Sequence, residues 1–212
     1  MRVNLEARAA AAGQRRAKTR ELLLSAAEAV VAERGFEGAS VEEFVRAAGV
    51  SRGTFYNYFP TTTDLVAALN ERVAAHMDGV LVELMRRRAD PATLLAACLH
   101  LAMAAYRADP VRGWVASHLA GSRAPRVRGF ELRFAQLYAE GVRQGQFRAV
   151  DVDAALTLTF GAMRMTQRDV VSGDALPVRA VQVVALILAA LGVPHADAER
   201  ISHEEAQAAR RG

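Results

Sequence analysis

The residues with the clearest chemical potential lie between positions 51 and 58. Hydroxyl, guanidinium and amide groups follow one another there, at Ser51, Arg52, Thr54, Tyr56, Asn57 and Tyr58. Such groups donate hydrogen bonds to phosphate oxygens, and arginine and asparagine also bond the edges of bases. Gly53 carries no side chain and lets the backbone approach a partner closely. Because Tyr56, Asn57 and Tyr58 are consecutive, a short helix cannot bury all three, and the sequence predicts an exposed binding surface.

Side chains that often act as catalysts are present but scattered. His76, His100 and His118 fall on different predicted helices, and the single cysteine, Cys98, lies in an apolar stripe. No segment resembles a phosphate loop, a nucleophile elbow or an HExxH zinc motif. The sequence therefore predicts a protein without catalytic activity, bound metal or cofactor.

The amino terminus is strongly basic. Residues 1–20 contain six basic side chains and one acid, although the formal charge of the whole chain is only +4. Proteins that bind polyanions place basic arms of this kind near phosphates. We expect Arg15, Arg16 and Lys18 to take part in such binding and residues 1–14 to form a disordered arm. A solubilising tail explains the same charges equally well.

Hydrophobic periodicity is helical along nearly the whole chain and predicts an all-α fold. A first helix is expected from about Arg15 to Arg34, and Gly35 ends it. Ser40 and Glu43 have the spacing of a capping box, which predicts the start of a second helix that ends at Gly49.

A third short helix follows at once. Ser51 is its expected cap, and it runs from Arg52 to about Phe59, where Pro60 ends it. Two short helices joined by a tight turn form the layout of a helix-turn-helix, whose second helix enters the major groove of DNA. A helical hairpin buried in a core is the alternative, and the polar tips of the third helix favour the helix-turn-helix.

Two segments of this region, ERGFEGASV at 33–41 and AGVSRGTFYNYF at 48–59, resemble the DNA-binding domain of the tetracycline-repressor-like (TetR) family of bacterial transcription regulators. The resemblance covers about residues 15–70. It implies an all-helical homodimer whose divergent carboxyl-terminal domain binds a small molecule. Carried over residue by residue, it implies DNA contacts at Ser40, Ser51, Arg52, Gly53, Thr54, Tyr56, Asn57 and Tyr58. Phe36, Phe55 and Phe59 would then be core residues.

One position departs from the family pattern. Thr62 stands where these proteins usually carry a lysine, at the start of the next helix. We include Thr62 among the expected DNA contacts. The arginines of the amino-terminal arm would compensate for the missing charge.

The middle of the chain predicts a small-molecule site. A long fourth helix, from Asp64 to Arg88, links the two halves, and Asp-Pro pairs at 90–91 and 109–110 begin two more helices. These helices combine bulky apolar side chains with isolated polar ones, the composition of a ligand pocket. The candidate pocket residues are His76, His100, Met103, Tyr106, Trp114, His118, Phe134, Tyr138 and Gln167. For each histidine, a hydrogen-bonded place in the core is the simpler alternative.

The last two predicted helices, from about Asp151 to Val171 and from Pro177 to Leu191, indicate a dimer. The second is apolar on nearly every side, so at the edge of a monomer it would expose a large apolar patch. Pairing with a symmetry-related copy in a four-helix bundle would cover that patch, and a central core helix within one chain is the alternative. The expected interface residues are Phe160, Met163, Val183, Leu186, Ile187 and Ala190.

The sequence thus predicts about nine helices in four parts: a basic arm (1–14), a helix-turn-helix domain (15–60), a ligand-binding and dimerisation domain (61–195) and a polar tail (196–212). The expected partners are a palindromic DNA operator, a small-molecule effector and a second copy. No membrane partner is expected, because the most apolar stretch, 180–193, is shorter than a membrane span. A single cysteine fits a reducing cytoplasm.

Three other functions fit the same pattern. A regulator of this fold can be controlled by a protein partner or act as an activator. A helical interaction protein can have lost DNA binding, which the missing lysine would favour. An enzyme can carry an appended DNA-binding domain, which would require a polar cluster hidden among the middle helices.

Overall fold

The computed structural model describes residues 2–35, 38–86, 90–111, 113, 115, 128–171 and 177–211, without the side chains at 2–6, 76, 77, 80, 128–131, 170, 171 and 177. Within these residues we number nine helices: α1 (Arg2–Arg34), α2 (Val41–Ala48), α3 (Arg52–Tyr56), α4 (Thr62–Met85), α5 (Pro91–Ala108), α6 (Arg128–Arg143), α7 (Val152–Val171), α8 (Pro177–Leu191) and α9 (His195–Ala208). Helical residues also occur at 110, 111, 113 and 115. The all-α fold expected from the periodicity is confirmed.

Local hydrogen bonds set the ends of α2 and α3. The Ser40 hydroxyl accepts from the backbone N–H of Glu43 at 3.4 Å, and the Glu43 carboxylate accepts from the Ser40 N–H at 2.9 Å. The predicted capping box is therefore confirmed. Gly49 follows α2 with a φ of 64°, a left-handed conformation that glycine adopts without strain. Ser51 then caps α3 by accepting from the Thr54 N–H at 3.0 Å.

The amino terminus differs from the expectation. α1 is continuous from Arg2 to Arg34, so the prediction of a disordered arm over residues 1–14 is wrong for the described residues 2–14. The reason is intrinsic propensity: residues 9–12 are all alanine, the strongest helix former, and no proline interrupts the segment. Side chains 7–18 are exposed, so this part of α1 is a helix without a packed face.

The carboxyl terminus also differs from the expectation. Most of the predicted polar tail (196–212) belongs to α9, which packs against α5 and α8. Its buried residues, Ala198, Ile201, Ser202 and Ala206, recur at helical spacing. Three of them are small, and charged residues surround them, so the buried face of α9 is inconspicuous in the sequence.

Two clusters of buried side chains organise the molecule. The first joins α1, α2, α3 and the beginning of α4, and the second joins the end of α4 to α5–α9. α4 contributes Leu65 and Leu69 to the first cluster and Leu81 and Leu84 to the second, which confirms its predicted role as the connector. Val115 belongs to the first cluster although it follows α5. None of the helices described combines the length and the hydropathy that a membrane span needs.

Candidate nucleic-acid interface and neighbouring sites

One buried ring holds the third helix in place. Phe55 has no exposed area, and its ring centroid lies 6.3 Å from that of Phe44 and 5.8 Å from that of Phe59. Around this anchor lie the groups that we call the α3 surface: Ser51, Arg52, Gly53, Thr54, Tyr56, Asn57 and Tyr58. Thr54 and Tyr58 are half-buried and the others are exposed. The packing therefore fixes α3 while its polar groups stay available to a partner.

Arg52 supplies the positive charge of the α3 surface. Its Nη1 lies 2.8 Å from Oε1 of Glu42 on α2, and the two side chains are 62% and 51% exposed. A hydrogen bond to Tyr56, one turn further along α3, and the charge of Glu42 raise the pKa of Arg52 above its ordinary value. The guanidinium group is therefore fully charged and is held between two side chains.

Basic residues of α1 lie close to the α3 surface and to the neighbouring Phe59. The Arg16 guanidinium lies 5.7 Å from the centroid of the Tyr58 ring, and the Arg20 guanidinium lies 5.6 Å from that of Phe59. Both distances are in the range of cation–π contacts. Arg15 and Lys18 are exposed on the same segment. Of the predicted phosphate-binding cations, Arg16 is thus a direct neighbour of the α3 surface.

Ser40 and Thr62 are exposed at the beginnings of α2 and α4. The Ser40 hydroxyl donates to the Glu43 carboxylate at 3.0 Å. Thr61 caps α4, because its hydroxyl accepts from the Asp64 N–H at 3.2 Å. The hydroxyl of Thr62 is therefore not used as the cap of α4. The DNA contacts expected at Ser40 and Thr62 stay predictions.

The predicted pocket residues are brought together only in part. His76, Trp114 and His118 lie outside the described side chains. The others are buried on α5, α6 and α7. Phe134 and Tyr138 stack with their centroids 6.2 Å apart, and Phe160 meets Phe134 edge to face at 5.3 Å. Met103 belongs to the same buried cluster, and Tyr106 is 6% exposed.

Several polar members of this set already have partners inside the protein. The Tyr138 hydroxyl donates to the carbonyl of Arg148 at 2.7 Å and accepts from the Val150 N–H at 2.9 Å. The Gln167 side chain donates to the carbonyl of Gly113 at 3.0 Å. Tyr138 thus holds the loop before α7, and Gln167 holds the stretch after α5.

His100 lies in the core and is hydrogen-bonded there. Its Nε2 lies 3.0 Å from Oγ of Ser202, and that hydroxyl donates to the carbonyl of Val181 at 2.8 Å. Since the hydroxyl has one proton, the bond between the two side chains requires a proton on His100 Nε2. Burial lowers the pKa of His100 to about 4, so the ring is neutral at pH 7. Burial also raises the pKa of the Cys98 thiol to about 12, so it stays protonated.

The predicted interface residues fall on two sides of their helices. Leu186 is 61% exposed, Ala190 is exposed, and Phe160 and Val183 are half-buried. Met163 and Ile187 are only 6% and 2% exposed within one protomer. Their assignment to an interface is corrected, because surface that is already buried cannot be covered again. The sequence did not separate the two sides, since α8 is apolar on nearly all of them.

Three further apolar side chains on the same two helices are exposed and were not predicted from the sequence. Leu158 and Met165 on α7 are 42% and 59% exposed, and Val178 on α8 is 53% exposed. Together with Leu186 they form what we call the α7–α8 apolar face. Their spacing, seven residues apart on α7 and eight apart on α8, is helical and is visible in the sequence.

A groove of about 440 Å³ lies away from the predicted pocket, between α8 and α9. Its lining residues are Val181, Gln182, Ala185, Leu186, His195, Glu199 and His203. Nε2 of His195 lies 3.4 Å from Oε1 of Glu199. Across the described part of the chain, no three His, Cys, Asp or Glu side chains are arranged to hold a metal ion.

The amino-terminal region matches a known protein family. Residues 23–69 match the family described as bacterial regulatory proteins, tetR family. The chain is 39% identical over 56 residues to the HTH-type transcriptional regulator YvdT of Bacillus subtilis, covering 26% of this chain and 29% of that protein. It is 38% identical over 81 residues to the HTH-type transcriptional repressor AcnR of Corynebacterium glutamicum, covering 36% and 43%. The matched segments thus span less than half of these curated relatives.

Solved structures extend the similarity to most of the chain. The structure of RolR in complex with resorcinol has a TM-score of 0.64 at 25% identity, over 90% of this chain and 95% of that chain. A tetR family transcription regulator from Shewanella sp. PV-4 has a TM-score of 0.70 at 19% identity, over 83% and 99%, which shows the shared fold. The amino-terminal match and the fold agree: residues 23–69 match the tetR family of bacterial regulatory proteins, and most of the chain shares the fold of a solved regulator of that family.

Proposed function

We propose that the protein is a sequence-specific transcriptional repressor that binds a palindromic operator as a homodimer and leaves it when a small molecule binds. The observation that carries the proposal is the α3 surface, where polar groups are exposed around a fully buried Phe55. Tyr56, Tyr58 and the cations of α1 are suited to phosphates. Arg52, Thr54 and Asn57 are suited to bases or to the DNA backbone, because their side chains carry donors or acceptors that match either one.

The α7–α8 apolar face supports the homodimer. Four large apolar side chains on adjacent helices are 42–61% exposed, which is unfavourable in water unless a partner covers them. A second copy would cover them with the same face, as an isologous interface requires. Two α3 surfaces related by a two-fold axis would then contact half-sites about one helical turn of DNA apart, or a multiple of it.

A buried hydroxyl supports a small-molecule site in the larger domain. Thr159 has no exposed area, and its Oγ1 finds no hydrogen-bond partner among the described residues. Leaving such a group unpaired costs about 1–3 kcal/mol, which a polar ligand would recover. Thr159 shares a face of α7 with Met163 and Gln167, four and eight residues further on. RolR was solved with resorcinol, which supports a small organic effector.

Two connections would carry the effect of a ligand to the α3 surface. In one, Gln167 bonds to Gly113, and Val115, two residues further on, is buried in the amino-terminal cluster. The other runs through α4, where Asp78 pairs with Arg133 of α6.

On the same helix, Arg72 ties α4 to α1. Its Nη1 lies 2.7 Å from the Glu21 carboxylate and its Nε lies 3.2 Å from that of Glu28. A ligand that binds one tilt of α4 better than another would therefore shift α1–α3, and a preference of about 3 kcal/mol weakens operator binding about a hundredfold.

A gel-shift assay tests the proposal. Duplexes from the region upstream of the protein's own gene, and scrambled duplexes of equal length, are titrated at about 50 and 200 mM salt. We expect the upstream duplex to bind more tightly and both affinities to fall steeply with salt. An extract of small molecules should release the upstream duplex. Binding that is flat with salt, or equal for both duplexes, would contradict a sequence-specific regulator.

A further inference from the structure

Two carboxylates in the first turn of α2 have different partners. Glu43 caps the helix through Ser40 and also pairs with Arg34, whose Nη1 lies 2.6 Å from its Oε1. Glu42 instead reaches across the turn to Arg52 of α3, at 2.8 Å. Capping therefore accounts for Glu43, whereas Glu42 lies in the first turn, where an acid is favourable, and also pairs with a residue of another helix. A negative charge next to the α3 surface opposes phosphate binding by simple Coulomb repulsion.

The contact restricts how Arg52 can be used. A guanidinium group has five N–H donors in a rigid fork, and the bonds to Glu42 and Tyr56 leave others free. Held in this way, the fork can still donate to acceptors on a base edge in the major groove. To contact a phosphate elsewhere, the side chain would have to leave Glu42.

We propose that Glu42 sets the sequence selectivity of α3 in two ways. It holds the Arg52 guanidinium group in one orientation. It also repels the phosphates of duplexes that offer this guanidinium group no acceptor on a base. The proposal rests on the proposed DNA-binding function. An orientation fixed before binding lowers the entropic cost of the correct contact, and repulsion weakens the incorrect ones. Because both side chains are more than half exposed, the pair itself adds little to stability, and Glu42 is a positioning residue.

The test compares two probes of equal length: a duplex enriched from a random-sequence pool by the unmodified protein, and its scrambled version. Glu42→Gln removes the charge and keeps the shape. We expect it to tighten binding to the scrambled duplex, to change binding to the enriched duplex little, and so to lower the selectivity ratio about fivefold. The slope of log affinity against log salt for the scrambled duplex should steepen by about 0.9, the value of one additional phosphate contact.

Two controls separate this role from general electrostatics. Glu33→Gln removes one charge from the exposed end of α1 in the same domain, and it should leave the selectivity ratio unchanged. In an Arg52→Gln background, Glu42→Gln should tighten binding to both duplexes equally, because no fork remains to be positioned. Urea unfolding of Glu42→Gln should match that of the unmodified protein, which excludes a folding effect.

Three results would overturn the proposal. The first is equal tightening of both duplexes by Glu42→Gln, and the second is the same fall in the ratio with Glu33→Gln. The third is a selectivity ratio that Glu42→Gln still lowers in the Arg52→Gln background. If the unmodified protein binds neither duplex in a salt-dependent way, the proposed function fails and this proposal fails with it. If it binds and discriminates while the variants do not differ, only the role of Glu42 is lost.

Discussion

The two regions of the molecule differ in the placement of most of their polar and apolar side chains, although α1 also buries Glu28 and exposes Leu22. The amino-terminal cluster buries phenylalanine rings and exposes the polar groups of α3, whereas the larger domain buries His100, Gln167 and Ser202 and exposes leucine and methionine on α7 and α8. Polar groups are commonly exposed on protein surfaces, so exposure alone does not indicate that the α3 surface binds DNA. That function is inferred from the arrangement of the groups and from the family match. Exposed apolar faces and buried polar groups are costly, and each therefore requires a physical explanation.

The largest expected effect concerns the α7–α8 apolar face. Leu186→Glu should dissociate the proposed dimer, because an isologous interface would contain the residue twice, and losing the burial of both leucines costs about 3–6 kcal/mol per dimer. Leu132→Glu on α6 is the matched control, since Leu132 and Leu186 are 62% and 61% exposed. Sedimentation and light scattering measure the outcome. A Leu186→Glu protein that stays dimeric would place the interface elsewhere.

The next effect concerns the anchor beneath the α3 surface. Phe55→Ala should destabilise the amino-terminal domain by about 3–5 kcal/mol, because the ring is fully buried between Phe44 and Phe59. Tyr56→Phe, at the next residue, should change stability by no more than about 0.5 kcal/mol. Urea unfolding of the two variants tests this difference. Similar stability of Phe55→Ala and the unmodified protein would mean that Phe55 does not anchor α3.

The third prediction concerns the buried polar groups. The pKa of His100 is lowered to about 4 by burial, against 6.5 for an exposed histidine, so the unfolded state binds a proton first as the pH falls. The contribution of His100 to stability is complete above pH 6.5 and is lost as the pH falls from 6.5 to about 4, by at most about 3 kcal/mol.

Urea titrations between pH 7 and pH 4 measure that loss. His100→Leu should flatten the pH dependence over this window, because it removes the group that titrates. His203→Gln on α9 should keep the dependence, since His203 is exposed. An unchanged pH profile in His100→Leu would assign the loss to other groups.

The smallest expected effect concerns the difference between phosphate contacts and base contacts on the α3 surface. Tyr56→Phe removes the hydroxyl that we propose to bind phosphate and should weaken binding to every duplex by a similar factor, about 1 kcal/mol in free energy. Asn57→Ala should instead change the preferred sequence, because an amide bonds base edges. Affinities for a set of single-base variants of one duplex distinguish the two patterns. A uniform loss for Asn57→Ala would move Asn57 from base contacts to phosphate contacts.

The division between what could and could not be predicted follows the range of the interactions. The capping box at Ser40, the left-handed turn at Gly49 and the cap at Ser51 depend on hydrogen bonds between residues at most five apart, so they could be predicted from the local sequence. The residue pattern of the helix-turn-helix is local for the same reason. Even the continuous helix at residues 2–14 was determined locally, since its alanines outweighed the charges on which the disordered arm was predicted.

The other features described above depend on contacts between distant parts of the chain. The bond between His100 and Ser202 joins residues 102 positions apart, and it turned a candidate ligand residue into a neutral core group. The same packing buried Ile187 and exposed its neighbour Leu186, a choice that an all-round apolar helix leaves open. Whether such a side chain is buried depends on which helices pack against its own helix. The spacing of apolar residues within one segment does not contain that information.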